Sequence, residues 1–197
     1  MKVIKYAVKF VLIYFSLITS SFCVNPSEFI NSISSEASEI LSSKLSDSEK
    51  VIKLKMIAEE SVDIDGIGLY TLGKYRKTLT DEQREEYKKL FKEYFLKSFS
   101  GRLVVYSDAK IAVLSEEVKN EKYTIVYSKL IGTTDRPEVK IDWRVYTKNP
   151  EKPLIRDLVI ESLSLARTQK EEFNSIIENN GGDISALFTN LRTFLNK

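Results

Sequence analysis

The segment 138-EVKIDWRVYT-147 decides how this chain folds. Val139, Ile141, Trp143 and Val145 alternate with Lys140, Asp142, Arg144 and Tyr146. A period of two belongs to a strand, whose successive side chains point to opposite faces. The segment therefore predicts one apolar face and one wetted face. The same period extends outward in both directions. In 123-YTIVYSKLIG-132, Tyr123, Ile125 and Tyr127 alternate with Thr124, Val126 and Ser128, and the three larger side chains are expected to face the core. Upstream, 109-AKIAVLSEEV-118 leads into a turn at Lys119 to Lys122. Downstream, a Pro/Asn turn at Asn149 to Pro153 leads into 154-LIRDLVIESLSL-165. Consecutive strands joined by short turns predict an antiparallel meander of about four strands.

On both sides of the meander the period becomes helical. In 25-NPSEFINSISSEASEILSSKLS-46, Phe29, Ile33, Ala37, Ile40 and Leu41 share a face behind Pro26, which suits a helix start. The stretch 46-SDSEKVIKLKMIAEES-61 carries a stripe of Val51, Leu54, Ile57 and Ala58. The next, 63-DIDGIGLYTLGKYR-76, holds Gly66, Gly68 and Gly73. Each interior glycine costs a helix roughly 1 kcal/mol, so a short helix with irregular ends, packed closely against a neighbour, is expected. The clearest helix is 80-TDEQREEYKKLFKEYFLKSFSG-101. Thr80 and Gln83 form a capping box, and Gly101 is expected to stop it. One flank is aromatic, with Tyr87, Phe91, Tyr94, Phe95 and Phe99. After the meander, 166-ARTQKEEFNSIIENNGG-182 and 183-DISALFTNLRTFLNK-197 read as two further helices. Helices, then strands, then helices predict one α+β domain, a curved antiparallel sheet covered by helices on one face.

The first residues carry a different signal. Lys2, Lys5 and Lys9 precede an apolar run from Phe10 to Ile18, followed by Thr19, Ser20, Ser21, Phe22 and Cys23. The run is too short for a bilayer, which takes roughly 20 residues. A basic start, a short apolar centre and small terminal residues match a secretory signal. Ser21 and Cys23 suit the positions before a cut that leaves Val24 first. Lipidation of Cys23 is disfavoured by bulky Phe22. Residues 1–23 are thus expected to be a signal peptide and 24–197 the mature domain. Removing three lysines from 30 basic residues leaves 27 against 28 acidic ones, a net charge of −1. That balance does not suit nucleic acid. The sole cysteine leaves with the signal, so no disulfide is expected.

With no histidine in the chain, Ser-His-Asp and Cys-His catalysis and histidine metal sites are excluded. The Asp63 to Gly66 run begins like a calcium loop but lacks its further acids and closing glutamate, and Asp63 is read as a helix cap. Asp142, Asp157 and Glu161 are candidate carboxylates for glycoside hydrolysis, against the plainer reading of surface charge. The rings at Tyr70, Tyr75, Phe91, Phe95, Phe99, Tyr123, Tyr127 and Trp143 are expected to converge where the long helix covers the sheet. They would form either a filled core or an apolar pocket with rim hydroxyls.

Collinear with these features are Leu72-Gly73, Thr80 to Arg84, and Asp157 to Leu165 leading into Phe173, Gly181, Leu187 and Leu191-Arg192. In this order and spacing the chain resembles the MlaC family, also called the toluene-tolerance or ABC-transporter auxiliary family. One departure is Ser162, where the family commonly has glycine. The resemblance implies an NTF2-like cone and a periplasmic phospholipid carrier without catalysis or cofactor. It implies shuttling of diacyl phospholipid between an inner-membrane ABC transporter with an MCE-domain protein and an outer-membrane lipoprotein–porin complex. That traffic would maintain outer-membrane lipid asymmetry. A two-tailed lipid has roughly 30 methylenes at about 0.8 kcal/mol each, so escape into water costs on the order of 20 kcal/mol. The tails are expected against Ile67, Tyr70, Leu72, Tyr75, Phe91, Phe95, Phe99, Ile125, Tyr127, Ile141, Trp143, Val145 and Val159. The headgroup is expected near Lys74, Arg76 or Arg102, with no metal and no nucleic acid bound, and the protein a monomer. A hydrolase using Asp142 or Asp157 and a non-catalytic interaction module are the alternatives.

Overall fold

The computed structural model describes residues 23–104, 110–132 and 137–197. The expected signal peptide lies outside these residues except for Cys23. Helix α1 (Pro26–Ser42) starts at Asn25, whose side chain accepts from the Glu28 amide. Helix α2 (Asp47–Ser61) opens on a Ser46/Glu49 capping box. Helix α3 (Ile64–Thr71) is capped by Asp63, which accepts from Gly66 N–H, the role expected of that aspartate. A 3-10 turn, Gly73–Lys77, follows. Helix α4 (Asp81–Leu103) begins at the expected Thr80/Gln83 box but runs through Gly101. Gly101 does not stop it because the residue keeps helical geometry, and the last turn closes through Val104 N–H to Ser100 C=O.

The strands β1 (Ile111–Asn120), β2 (Tyr123–Leu130), β3 (Val139–Tyr146), β4 (Leu154–Ile160) and β5 (Leu163–Ser164) form one antiparallel sheet in sequence order. The fifth strand is a two-residue addition to the four expected. Helices α5 (Leu165–Asn179) and α6 (Ile184–Leu195) complete an α+β domain. Among the described residues, no helix is long and apolar enough to cross a membrane.

Register sorts the side chains into two faces. Val126 lies opposite Trp143, Thr124 opposite Val145 and Ser128 opposite Ile141. All six are buried. Trp143 Nε1–H donates to Ser128 Oγ at 2.8 Å, and Ser128 donates to the Ile141 carbonyl at 2.9 Å, so the polar atoms in this wall are satisfied. Tyr123, Ile125 and Tyr127 therefore project from the reverse face, with Arg144 and Asp142 beside them. This corrects the expectation for β2. Its alternation was legible, but the inward set is the smaller one, because the partner strand places Trp143 and Val145 on that side.

Helix α1 packs on β1 and β2 over the buried face. Its first turn is held there by Ser27, whose amide and hydroxyl donate to Glu116 at 2.9 and 2.6 Å. Glu116 lies opposite Val126. The junction between α2 and α3 sits against β4, where Val62 bridges to Ile155 and Asp63 N–H donates to its carbonyl at 2.9 Å. Helices α3 and α5 pack against each other and both touch β4. Gly68 allows a close approach between α3 and α4. A Cβ there would stand 2.8 Å from Phe91 Cδ1, so α3 and α4 meet without room for alanine.

Candidate functional site

The aromatic flank of α4 splits into two unlike halves. Tyr87 and Phe91 are almost fully buried. Phe91 sits edge-on to Phe173 of α5, and Tyr87 stacks with Phe91 and with Phe188 of α6. These rings are plain core. One turn on, Phe95 and Phe99 stack at 5.7 Å, nearly parallel, and remain partly open to solvent. They pack against the same cluster as Ile111, Val113, Leu130, Val139, Leu158 and Ile160, all likewise half-buried. Leu130 pairs with both Ile111 and Val139, and Ile141 pairs with Ile160. The half-buried strand residues therefore share the Trp143 face and gather toward one end of the sheet. Arg102 is exposed one turn beyond Phe99, on the same side of α4.

A cavity of about 590 Å³ opens on the other face and toward the other end. Its walls are Ile67, Leu69 and Tyr70 of α3, Ala166 of α5, and Tyr123, Ile125, Arg144 and Asp157 of the sheet. Arg76, Lys119 and Arg156 complete it. Arg156 is clamped: its guanidinium stacks 3.6 Å from the Tyr146 ring, donates to Tyr123 Oη at 2.8 Å and pairs with Asp63. Partial burial works against its charge, but the bonds to Tyr123 and Asp63 outweigh that and raise its pKa. Asp157 is buried with both carboxylate oxygens occupied, accepting from Ala166 N–H at 3.0 Å and from Ser164 Oγ at 2.6 Å.

The residues expected to line one pocket are thus divided. Ile67, Tyr70 and Ile125 meet at the cavity, with Arg76 at its rim. Val159 shares the cavity's face of the sheet, opposite Asp142. Tyr127 lies on that face too, but its hydroxyl donates to Glu117 at 2.7 Å. Ile141, Trp143 and Val145 lie on the opposite face, in the core. Leu72 is fully buried packing, and Tyr75 is packed against the core beneath the Lys74 ammonium. Lys74 pairs with Glu178 at 2.9 Å and is not part of the cavity wall. The expected single convergence of rings does not form, because strand register sends Tyr127 and Trp143 to opposite sides. Sequence reasoning missed Arg144, Arg156 and Lys119 as cavity residues. Arg144 read only as a wetted position, and nothing in the chain order brings it to Arg156 and Arg76.

Fold and site together define an α+β domain with a partly buried apolar row on one face of its sheet and a basic cavity on the other. Residues 31–193 match the MlaC protein family, and the chain belongs to that family. Its fold is similar to the solved structure of a phospholipid-binding protein from Ralstonia solanacearum in complex with a phospholipid. That similarity has a TM-score of 0.74 at 19% identity, covering 88% of this chain and 100% of the other.

Proposed function

We propose that this protein is an exported carrier of diacyl phospholipid. The observation that carries the reading is the half-buried apolar row. These side chains pack against the core without being fully enclosed, so a modest opening of the face gives apolar chains a path inward. Family membership and the shared fold with a phospholipid-binding protein support it. The acyl chains lie between Phe95 and Phe99 of α4 and the sheet residues Leu130, Val139, Ile141 and Ile160. The headgroup stays in water at the mouth, beside Arg102. A shift of α4 away from the sheet admits the chains, and its return shields them. The carrier moves lipid in the periplasm between an inner-membrane ABC transporter with its MCE-domain protein and an outer-membrane lipoprotein–porin complex. It acts as a monomer and performs no chemistry on its cargo.

The test is to express the full chain in a Gram-negative host, recover the protein from the periplasmic fraction and extract it with organic solvent. Mass spectrometry is expected to find phospholipid in near-stoichiometric amount. A protein that is retained in the cytoplasm, or is exported but free of lipid, would overturn the reading.

A further inference from the structure

The cavity between α3 and the reverse face lies outside the proposed acyl path, on the other side of the sheet and toward its other end. Its charge is one-sided. Four cations line it, Arg76, Lys119, Arg144 and Arg156, against one carboxylate, Asp157. That carboxylate is already spent on Ala166 N–H and Ser164 Oγ. Lys119 is paired with Glu117 at 2.6 Å and Arg156 with Asp63. Arg144 and Arg76 have no carboxylate within ion-pair distance among the described residues. Arg144 stands directly across the ladder from Asp157, yet the two do not pair. Two guanidinium groups without an acid, next to a third held by Tyr146, make an unneutralised recess in a chain of nearly balanced charge, 30 basic against 28 acidic residues. Guanidinium groups recognise phosphate through paired N–H donors in a fixed fork. The rest of the lining includes apolar side chains, Ile67 and Leu69 of α3 and Ile125, which stands beside Arg144 across the β2–β3 ladder. The volume, about 590 Å³, is within the roughly 300–1,000 Å³ usual for small-ligand pockets.

We propose that this cavity binds a small phosphate monoester or diester carrying a short apolar group, with Arg144 and Arg76 holding the phosphate and the side chains of Ile67, Leu69 and Ile125 meeting the apolar part. Arg156 contributes positive potential and shapes the recess, its Nε and Nη1 being held by Asp63 and Tyr123. The site is separate from the acyl row, so it does not depend on the carrier reading. The shared chemistry is the phosphate ester, whether free in solution or on a short lipid.

Hexyl phosphate is the probe, titrated by calorimetry into delipidated protein comprising residues 24–197, with inorganic phosphate and hexanol as the separating arms. Hexyl phosphate is expected to bind most tightly, and added salt is expected to weaken it. The double variant Arg76→Gln/Arg144→Gln is expected to lose about tenfold or more in affinity, with an unchanged circular-dichroism melt. Amide shifts on binding are expected at Ile67 to Tyr70 and Tyr123 to Ile125. Equal affinity in the double variant, or shifts centred on Leu130 and Val139, would overturn the assignment. So would inorganic phosphate or hexanol binding as tightly as hexyl phosphate, since either would remove the need for one half of the site. A double variant that fails to fold is replaced by the single Arg144→Lys. It keeps the charge but loses the fork, and a loss of affinity is expected there too; unchanged affinity would overturn Arg144 as a phosphate ligand.

Discussion

Glu161 and Ser162 join β4 to β5 as a two-residue hairpin, and both have positive φ, 46° and 71°. That is the turn whose twist matches paired strands, and it favours glycine or asparagine at both central positions. Glu161 gains partial compensation, because its carboxylate accepts from Lys140 N–H at 2.6 Å. Ser162 has no such bond. Left-handed backbone costs a residue with Cβ about 1–2 kcal/mol, and the extra freedom of glycine in the unfolded chain returns part of that. Ser162→Gly is therefore expected to stabilise the protein by about 0.5–1 kcal/mol, seen as a higher urea midpoint with an unchanged slope. Tyr87 makes a second residue-level prediction. Thr71 Oγ1 donates to the Gly68 carbonyl at 2.7 Å, so Tyr87 is the donor in the 2.8 Å bond between the two hydroxyls. Burial pushes the Tyr87 phenol far above its ordinary value of 10.0. The neutral form is the one the fold accepts, so this contribution is complete below pH 10 and is lost as the pH rises above it. Tyr87→Phe is expected to cost about 1 kcal/mol at neutral pH and to flatten the fall in stability above pH 10. An identical alkaline profile in the two proteins would contradict this.

At the level of elements, Asp157 fastens three of them. It belongs to β4, accepts from Ser164 at the end of β5, and accepts from the Ala166 amide in the first turn of α5. Asp157→Ala leaves that buried N–H unpaired and frees the start of α5, and the expected cost is about 2 kcal/mol or more. Amide exchange should rise first at Ala166 and Arg167, ahead of the rest of α5. A uniform change across the sheet would mean that Asp157 acts on the whole fold and not as a local clasp. The same geometry bears on catalysis, because a carboxylate with both oxygens engaged is poorly placed to serve as acid or base. Helix α4 carries the other element-scale division: Tyr87 and Phe91 anchor it in the core, while Phe95 and Phe99 lie on its less enclosed half.

For the whole molecule, the arrangement separates a firm centre from two open ends. Val126, Val145, Ile155, Leu187 and Leu191 are nearly or fully buried. The apolar row near Leu130 and Val139 is not, and that row is where the proposed cargo lies. Val139→Asp places a charge among the acyl chains, where an unpaired carboxylate is costly. Co-purified phospholipid is expected to fall about tenfold or more, with a smaller drop in melting temperature than at a fully buried position, because Val139 is only partly buried. A normal lipid load in a folded Val139→Asp protein would remove the row from the acyl path.

Much of this was readable from local pattern. Pro26, the Ser46 and Thr80 starts, the Asp63 cap and the alternation from Val139 to Tyr146 each rest on neighbours a few residues apart, and each appears where the pattern put it. Close packing of the glycine-bearing helix was legible as well, and Gly68 against Phe91 supplies it. The order Asp157 to Leu165 through Leu191-Arg192 carried the family, because collinear spacing survives where single motifs do not. What local pattern could not supply was the choice of face for β2, since alternation is symmetric and only pairing with Trp143 and Val145 breaks the tie. Nor could it reveal the basic cavity, whose arginines come from the turn after α3, from β3 and from β4, and meet only through long-range packing. Short-range chemistry governs where elements begin, end and alternate; which side chains share a chamber depends on register and on helices returning from distant parts of the chain.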